Sequence, residues 1–477
     1  MSATGNGQRA VRGNMADYDV VIIGAGAAGL AAASALVRAG RTVALIEARD
    51  RIGGRVYTIR PPGATLPVEL GADFVHGRPE ETFAIAAEAG PRLYEQTGNS
   101  WAARDGRLQS DDDDDDDDDS EGDVGAIFAA IRNWQGEDRT LQSLLDERFA
   151  GERWAAARAR IRGYAEGFDA AEVDRVSVAW LRQTELASDA IDGDRQFRVL
   201  DGYDRVLAWL GDNPSVAAGL QLETVAREVR WRHGHVEVRL ESPAGVPLGE
   251  ISGRTALVTV PLAVLKRSFD DPASPGALRL LPEPTGKREA LAYLEMGHAM
   301  KVVLLFKEVF WDKLPQARQA KRQLIALPRL SFLFSNDAVM PTWWTPHPVV
   351  APMLTGWAAG PRAARMATMT NEEIADETVA ALSRALDIGH SDLDALLTGR
   401  FVHNWSADAF SSGGYSYVCA GGLTAPGALA EPVENTLFFA GEATDTQGET
   451  GTVHAALQTG YRAAAAIARA LASTSTG

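Results

Sequence analysis

The stretch from Asp19 to Glu47 constrains this chain more than any other. Val20, Val21, Ile22 and Ile23 form an unbroken β-branched run, the composition of a strand covered on both faces of a parallel sheet. Gly24, Gly26 and Gly29 come next in the spacing G-x-G-x-x-G. The first suits a tight turn, the second lets a pyrophosphate approach the backbone, and the third lets helix and strand pack closely. Ala-rich and Leu-rich sequence then predicts a helix over 27–39, ended by Gly40. A second strand over 42–46 delivers Glu47, where a carboxylate accepts the hydroxyls of an unphosphorylated ribose. This order of elements predicts a dinucleotide site with phosphate on the free N–H groups of the helix start. FAD and NAD both fit; NADP does not.

At 477 residues and 45% hydrophobic composition, the chain can bury large cores and is long enough for two or three domains. Its net charge of −17 argues against nucleic acid as a partner. The run Asp111 to Asp119 predicts a disordered acidic loop over 110–122. It reads either as a lure for polycations or as a solvated loop whose field is screened by salt. Residues 1–16 lack the apolar segment of a signal peptide and read as a flexible leader. No apolar run reaches the ~18 residues that cross a bilayer, so no membrane partner is expected. The single Cys419 excludes an internal disulfide and fits a reducing compartment. The expectation is a soluble, cytoplasmic protein of undetermined oligomeric state.

The residues after the ribose acid narrow the choice of cofactor. Glu47-Ala48-Arg49-Asp50-Arg51-Ile52-Gly53-Gly54-Arg55 resembles the E-A-x-x-R-x-G-G-R fingerprint of flavin amine oxidases. Further resemblances lie in Val68 to Gly77, in Met296 to Trp311 around Lys301, and in Asn404 to Tyr417. The closing segments Leu437 to Thr444 and Gly451 to Leu457 add another. On these motifs the chain resembles the flavin-containing amine oxidase superfamily, most closely its polyamine oxidase and lysine-specific histone demethylase branch. The resemblance implies an α/β fold with a Rossmann-like FAD-binding domain of the glutathione reductase type. That domain would be assembled from 17–95, 198–270 and 400–477. A discontinuous α+β substrate-binding domain would use 96–197 and 271–399, with 95–200 largely helical.

By the same resemblance, Gly24, Gly26, Ala28, Gly29, Glu47, Ala48, Arg49, Gly54 and Arg55 serve the nucleotide side of FAD, with backbone near Ala226 at the adenine. Gly71 and Ala72 pass beside the flavin, and Trp405, Gly441 and Glu442 belong to the cofactor site. A helix beginning near Thr452 and Val453 aims its N-terminus at the ring. Lys301 is implied to hold a water against flavin N5; taken alone, it also fits a strand-end lysine with its head in water. Tyr415 is implied to form the pocket wall facing the flavin, with Phe74, His76 and Thr452 lining the rest. Gly414 stands where monoamine oxidases carry the cysteine that attaches FAD, so the FAD is expected to be noncovalent. Thr452 replaces the second tyrosine of their aromatic cage, which weakens a small aromatic amine as substrate. Trp343 and Trp344 read as pocket walls or core. A surface helix is predicted over 370–386, with Asn371 as its cap.

The implied reaction oxidises the C–N bond of a primary or secondary amine, polyamine-like by preference, to an imine. Two electrons pass to O2, giving H2O2. The expected partners are a small-molecule amine and O2, and no metal is called for. An L-amino acid oxidase or another flavin monoamine oxidase would share the FAD motifs, but Val68 to Gly77 has no arginine for a carboxylate. A desaturase or non-catalytic flavoprotein has less reason to carry Lys301 and Tyr415.

Overall fold

In the computed structural model, residues 17–104, 107–110, 119–313 and 327–473 are described. The leader 1–16 and aspartates 111–118 lie outside them. Of the expected acidic loop, Ser110 ends a strand and Asp119 opens the helix Asp119–Arg132, so its flanks are regular structure.

The larger sheet has Tyr18–Ile23 near its middle, parallel to Val43–Ile46 on one side and to Pro247–Val258 on the other. Leu437–Phe439 adds to Pro247–Val258 in parallel. Three separated parts of the chain therefore meet side by side. The sheet changes character at Pro247–Val258, whose first half pairs antiparallel with His235–Glu241, which pairs in turn with Val225–Arg232. Val20 to Ile23 are almost fully buried, as a β-branched run covered on both faces of its sheet must be. The helix Ala27–Arg38 covers one face and packs on the last helix, Val453–Ser473. A Cβ on Gly460 of that helix would come within 2.3 Å of the Ala28 carbonyl, so glycine permits the close crossing. Gly40, at φ +73°, ends the first helix as expected.

In a second, seven-stranded sheet Ala299–Phe306 lies next to one edge, between Met353–Ala359 and the edge strand Leu397–Val402. The region expected to be helical, 95–200, also supplies the hairpin Asn99–Arg104 and Arg107–Ser110 to the edge of this sheet. Trp101, Ala102 and Ala103 are buried together there, a short cluster that a helical periodicity does not reveal. Four helices come next between Asp119 and Ala190. The helix Asn371–Leu386 is capped by Thr370 and not by Asn371. Thr370 accepts from the Glu373 N–H while Glu373 reaches back to the Thr370 N–H; this reciprocal pair outcompetes an Asn one residue later. No helix of the described residues is long and apolar enough to cross a membrane.

Candidate functional site

The glycine turn, the acid and the G-G-R segment form one assembly. Gly24 donates to the Ile46 carbonyl, Gly53 donates to the Ala25 carbonyl, and Gly26 and Gly53 form a bridge. Gly24 sits at φ +108°, and a Cβ on Gly29 would stand 1.9 Å from the Gly24 carbonyl oxygen. Those two positions therefore require glycine. A Cβ on Gly26 would meet only the Gly54 Cα at 4.0 Å, so that side of the turn is open. Among the described residues no side chain caps the helix Ala27–Arg38, and the donors of its first turn, Ala28 and Gly29 included, stay available to an anion. Glu47 is buried and accepts from the N–H groups of Ala25 and Arg49, both at 2.9 Å. Ala48 and Arg49 run on from it, and Thr224 donates to the Glu47 carbonyl, bringing Ala226 to the same end of the sheet. Open glycine, uncapped helix and buried acid suit an anionic dinucleotide. Gly53 was missed as a site residue, although its φ of +102° marks it as part of the turn.

Arg55 joins this assembly to the C-terminal segments. One of its nitrogens donates to the Gly414 carbonyl at 2.7 Å and to Glu442 at 2.9 Å. Glu442 also accepts from Ser416 and from the Gly451 N–H. Gly441, at φ +131°, would have open space around a Cβ. A cavity lined by Arg55, Val258, Val260, Gly441 and Glu442 lies here. Thr452 caps the last helix by accepting from Ala455, and Val453 is its first residue. Trp405 donates to the Leu70 carbonyl and packs on Gly71. A Cβ on Gly71 would stand 1.8 Å from the Arg55 carbonyl, so chain packing alone demands glycine there. Ala72 donates to that same carbonyl.

Lys301 is buried, which settles the alternative of a lysine with its head in water. Its ammonium donates to the Gly71 carbonyl and lies 3.7 Å from Asp73. Burial lowers its pKa, an effect only partly opposed by Asp73 and Glu69.

An aromatic group surrounds the next space. Phe74 packs on Trp344 and Phe332, His76 meets Phe168 edge to face, and Trp344 adjoins Trp357. Trp343, on the opposite face of its strand, is fully buried core, so the two tryptophans divide between wall and core. The Tyr415 hydroxyl donates to the Phe168 carbonyl. Burial pushes the His76 pKa down to about 4, so its imidazole is neutral at physiological pH.

Sequence reading missed Asp169. It comes directly after Phe168, whose carbonyl Tyr415 holds, and its Oδ2 is shielded and meets no hydrogen-bond partner among the described residues. Burial and then the charge of Glu185 push its carboxyl up to about 8. Glu185 accepts from Tyr164, which stacks on Phe168 and reaches the surface. The signal in the sequence was an acid directly after aromatic residues at the end of an amphipathic helix.

The family model for flavin containing amine oxidoreductases matches residues 27–468. Polyamine oxidase 2 of Arabidopsis thaliana is 30% identical, over 93% of this chain and 87% of that protein. Human lysine-specific histone demethylase 2 is 27% identical, over 94% of this chain and 53% of that protein. Among solved structures, putrescine oxidase bound to putrescine superimposes with a TM-score of 0.75 at 21% identity, covering 94% of this chain and 98% of its own. Cyclohexylamine oxidase from Brevibacterium oxydans IH-35A gives the same score and identity, covering 96% and 100%.

Proposed function

The chain belongs to the flavin containing amine oxidoreductases and is an FAD-dependent amine oxidase; on that premise we propose that its substrate is a polyamine and its electron acceptor O2. The observation that carries the substrate class is the buried Oδ2 of Asp169, which has no hydrogen-bond partner among the described residues, beside Tyr415 and backed by Glu185 and the aromatic faces of Phe168 and Tyr164. A buried acid without a partner invites a cation, and aromatic faces add to its attraction. A polyamine brings a second ammonium that a monoamine lacks. The polyamine oxidase and putrescine oxidase relatives support this reading.

FAD, when bound, accepts the two electrons of the C–N oxidation. The uncapped helix start, Gly26 and Gly54 would hold its phosphates, and Glu47 its ribose. Arg55 and Glu442 would stand at the junction with the C-terminal segment. Tyr415, Phe74 and Trp344 form an apolar wall that disfavours the charged form of the reacting nitrogen. His76 stays neutral and accepts or donates a hydrogen bond without adding a repelling charge. Lys301 would hold a water between the sheet and the cofactor. Gly414 has no thiol, so the FAD is noncovalent on this reading. H2O2 is the expected product of reoxidation. The lone, largely buried Cys419 suits a cytoplasmic location.

The test is anaerobic bleaching and aerobic peroxide release with spermine, spermidine, N-acetylated polyamines, putrescine, tyramine and leucine. Polyamines should give the highest kcat/KM, and Asp169→Asn should raise KM about tenfold for them while leaving tyramine nearly unchanged. Preference for tyramine or leucine would overturn the substrate class.

A further inference from the structure

The anion beside Lys301 has a structure of its own. Asp73 is buried, and each of its oxygens has a protein partner. Arg198 grips Oδ1 through two nitrogens, at 3.0 and 2.7 Å, and the Trp344 indole donates to Oδ2 at 3.1 Å. Lys301 approaches Oδ2 at 3.7 Å. Arg198 stands opposite Phe74 in a register of Phe74 to His76 with Gln196 to Val199, which sets its height against Asp73. Trp344 and Lys301 both come from the second sheet. One carboxylate thus ties the strand of Lys301 to the segment that carries Gly71.

The other groups facing this cluster are Glu69, Tyr94 and Tyr203. Glu69 accepts from Thr58 and from the Tyr203 N–H. Burial and the charge of Asp73 push its carboxyl up to about 7. Burial would raise Asp73 as well, but Arg198 and Lys301 outweigh it and hold its pKa below the ordinary value. Asp73 is therefore the fixed anion of the cluster, and Glu69 is the member that titrates near neutrality.

We propose that Asp73 is the positioning residue that holds the Lys301 ammonium in place, and that Arg198 acts through Asp73 as its clamp. A buried ammonium that faces the Gly71 carbonyl and Asp73 loses its hydration and needs an anion of fixed position. An aspartate held by a two-nitrogen fork and an indole has almost no rotamer freedom left. The link from this cluster to flavin chemistry rests on the amine oxidase reading, through the role of Lys301; the clamp itself does not.

The experiment uses the FAD-loaded enzyme and the variants Asp73→Asn, Asp73→Glu and Arg198→Lys. Flavin reduction by spermidine, reoxidation of dithionite-reduced enzyme by O2 across pH, and the midpoint potential of the bound flavin are measured. Asp73→Asn should move the alkaline limb of reoxidation down by about one pH unit, because the ammonium has lost its anion. At pH 9 its reoxidation should be about tenfold slower, with amine reduction changed less than about threefold. Its midpoint potential should rise, since two cations lose their counter-ion, and Asp73→Glu should recover part of both shifts. An unmoved limb and potential in flavin-retaining Asp73→Asn overturns the proposal, as does equal slowing of both half-reactions. If Asp73→Asn does not retain flavin, Arg198→Lys decides: the proposal stands on a shifted limb and falls on an unshifted one. Failure of every amine to reduce the wild-type flavin would defeat the amine reading, while the dithionite and potential measurements would still judge the clamp.

Discussion

Arg55 and Glu442, 387 residues apart in sequence, share an ion pair of 2.9 Å, and the same arginine nitrogen holds the Gly414 carbonyl at 2.7 Å. The contact joins the first nucleotide-side motif to the two last motifs of the chain. Glu442 is almost fully buried while Arg55 is about one-quarter exposed, so the glutamate bears most of the desolvation.

Replacing Glu442 by Gln keeps its size and removes its charge. Arg55 would then lack its anion, and Ser416 and Gly451 would donate to a weaker acceptor. The loss should be about 2–4 kcal/mol in urea unfolding of the FAD-loaded enzyme, toward the low end because Arg55 is partly solvated. A Glu442→Gln midpoint equal to wild type would show that the pair contributes nothing net.

Gly29→Ala places a methyl 1.9 Å from the Gly24 carbonyl oxygen, where only backbone can yield. The expected cost is at least about 1–3 kcal/mol, with displacement of the glycine turn. Purified Gly29→Ala should carry much less flavin per chain than wild type, read from absorbance near the flavin band. Full flavin content would mean that the turn relaxes freely.

Gly414 donates to the Gly297 carbonyl, and a Cβ there would lie 2.7 Å from the Ala299 Cβ. The position neither carries a thiol nor has room for one without movement. Acid precipitation should therefore leave the yellow colour in the supernatant. Colour held in the pellet would establish a covalent link through another residue.

Asp169 gives a pH dependence with a definite sign. Its carboxyl is raised to about 8 in the folded protein, against about 3.9 in the unfolded chain. Between those values the unfolded state binds fewer protons, so this group costs up to about 1.4 kcal/mol of stability per pH unit as pH rises. Asp169→Asn should accordingly have the higher Tm at pH 8, with the advantage vanishing toward pH 4. His454 acts in the opposite sense: burial, then the neighbouring His76, lowers its pKa to about 3, so its contribution is lost as pH falls below about 6.5. The Tm difference between Asp169→Asn and wild type, followed across pH, isolates the aspartate; a difference independent of pH would refute the assignment.

The amino-acid order by itself determined whatever a short stretch of chain decides locally. The β-branched run, the glycine spacing and the acid at Glu47 specified a strand, turn, helix and second strand, because backbone freedom and apolar periodicity act over a few residues. The resemblance of separated motifs singled out Lys301, Tyr415, Arg55 and Glu442 as expected site residues without showing that Arg55 touches Glu442. Only the tertiary structure decided which distant groups share one buried space. It placed Asp73 between Arg198 and Lys301, left the Oδ2 of Asp169 without a partner among the described residues, and set the paired strands Asn99–Arg104 and Arg107–Ser110 at a sheet edge. Those outcomes depend on desolvation and on pairing across long sequence distances, and neither is a property of any one segment.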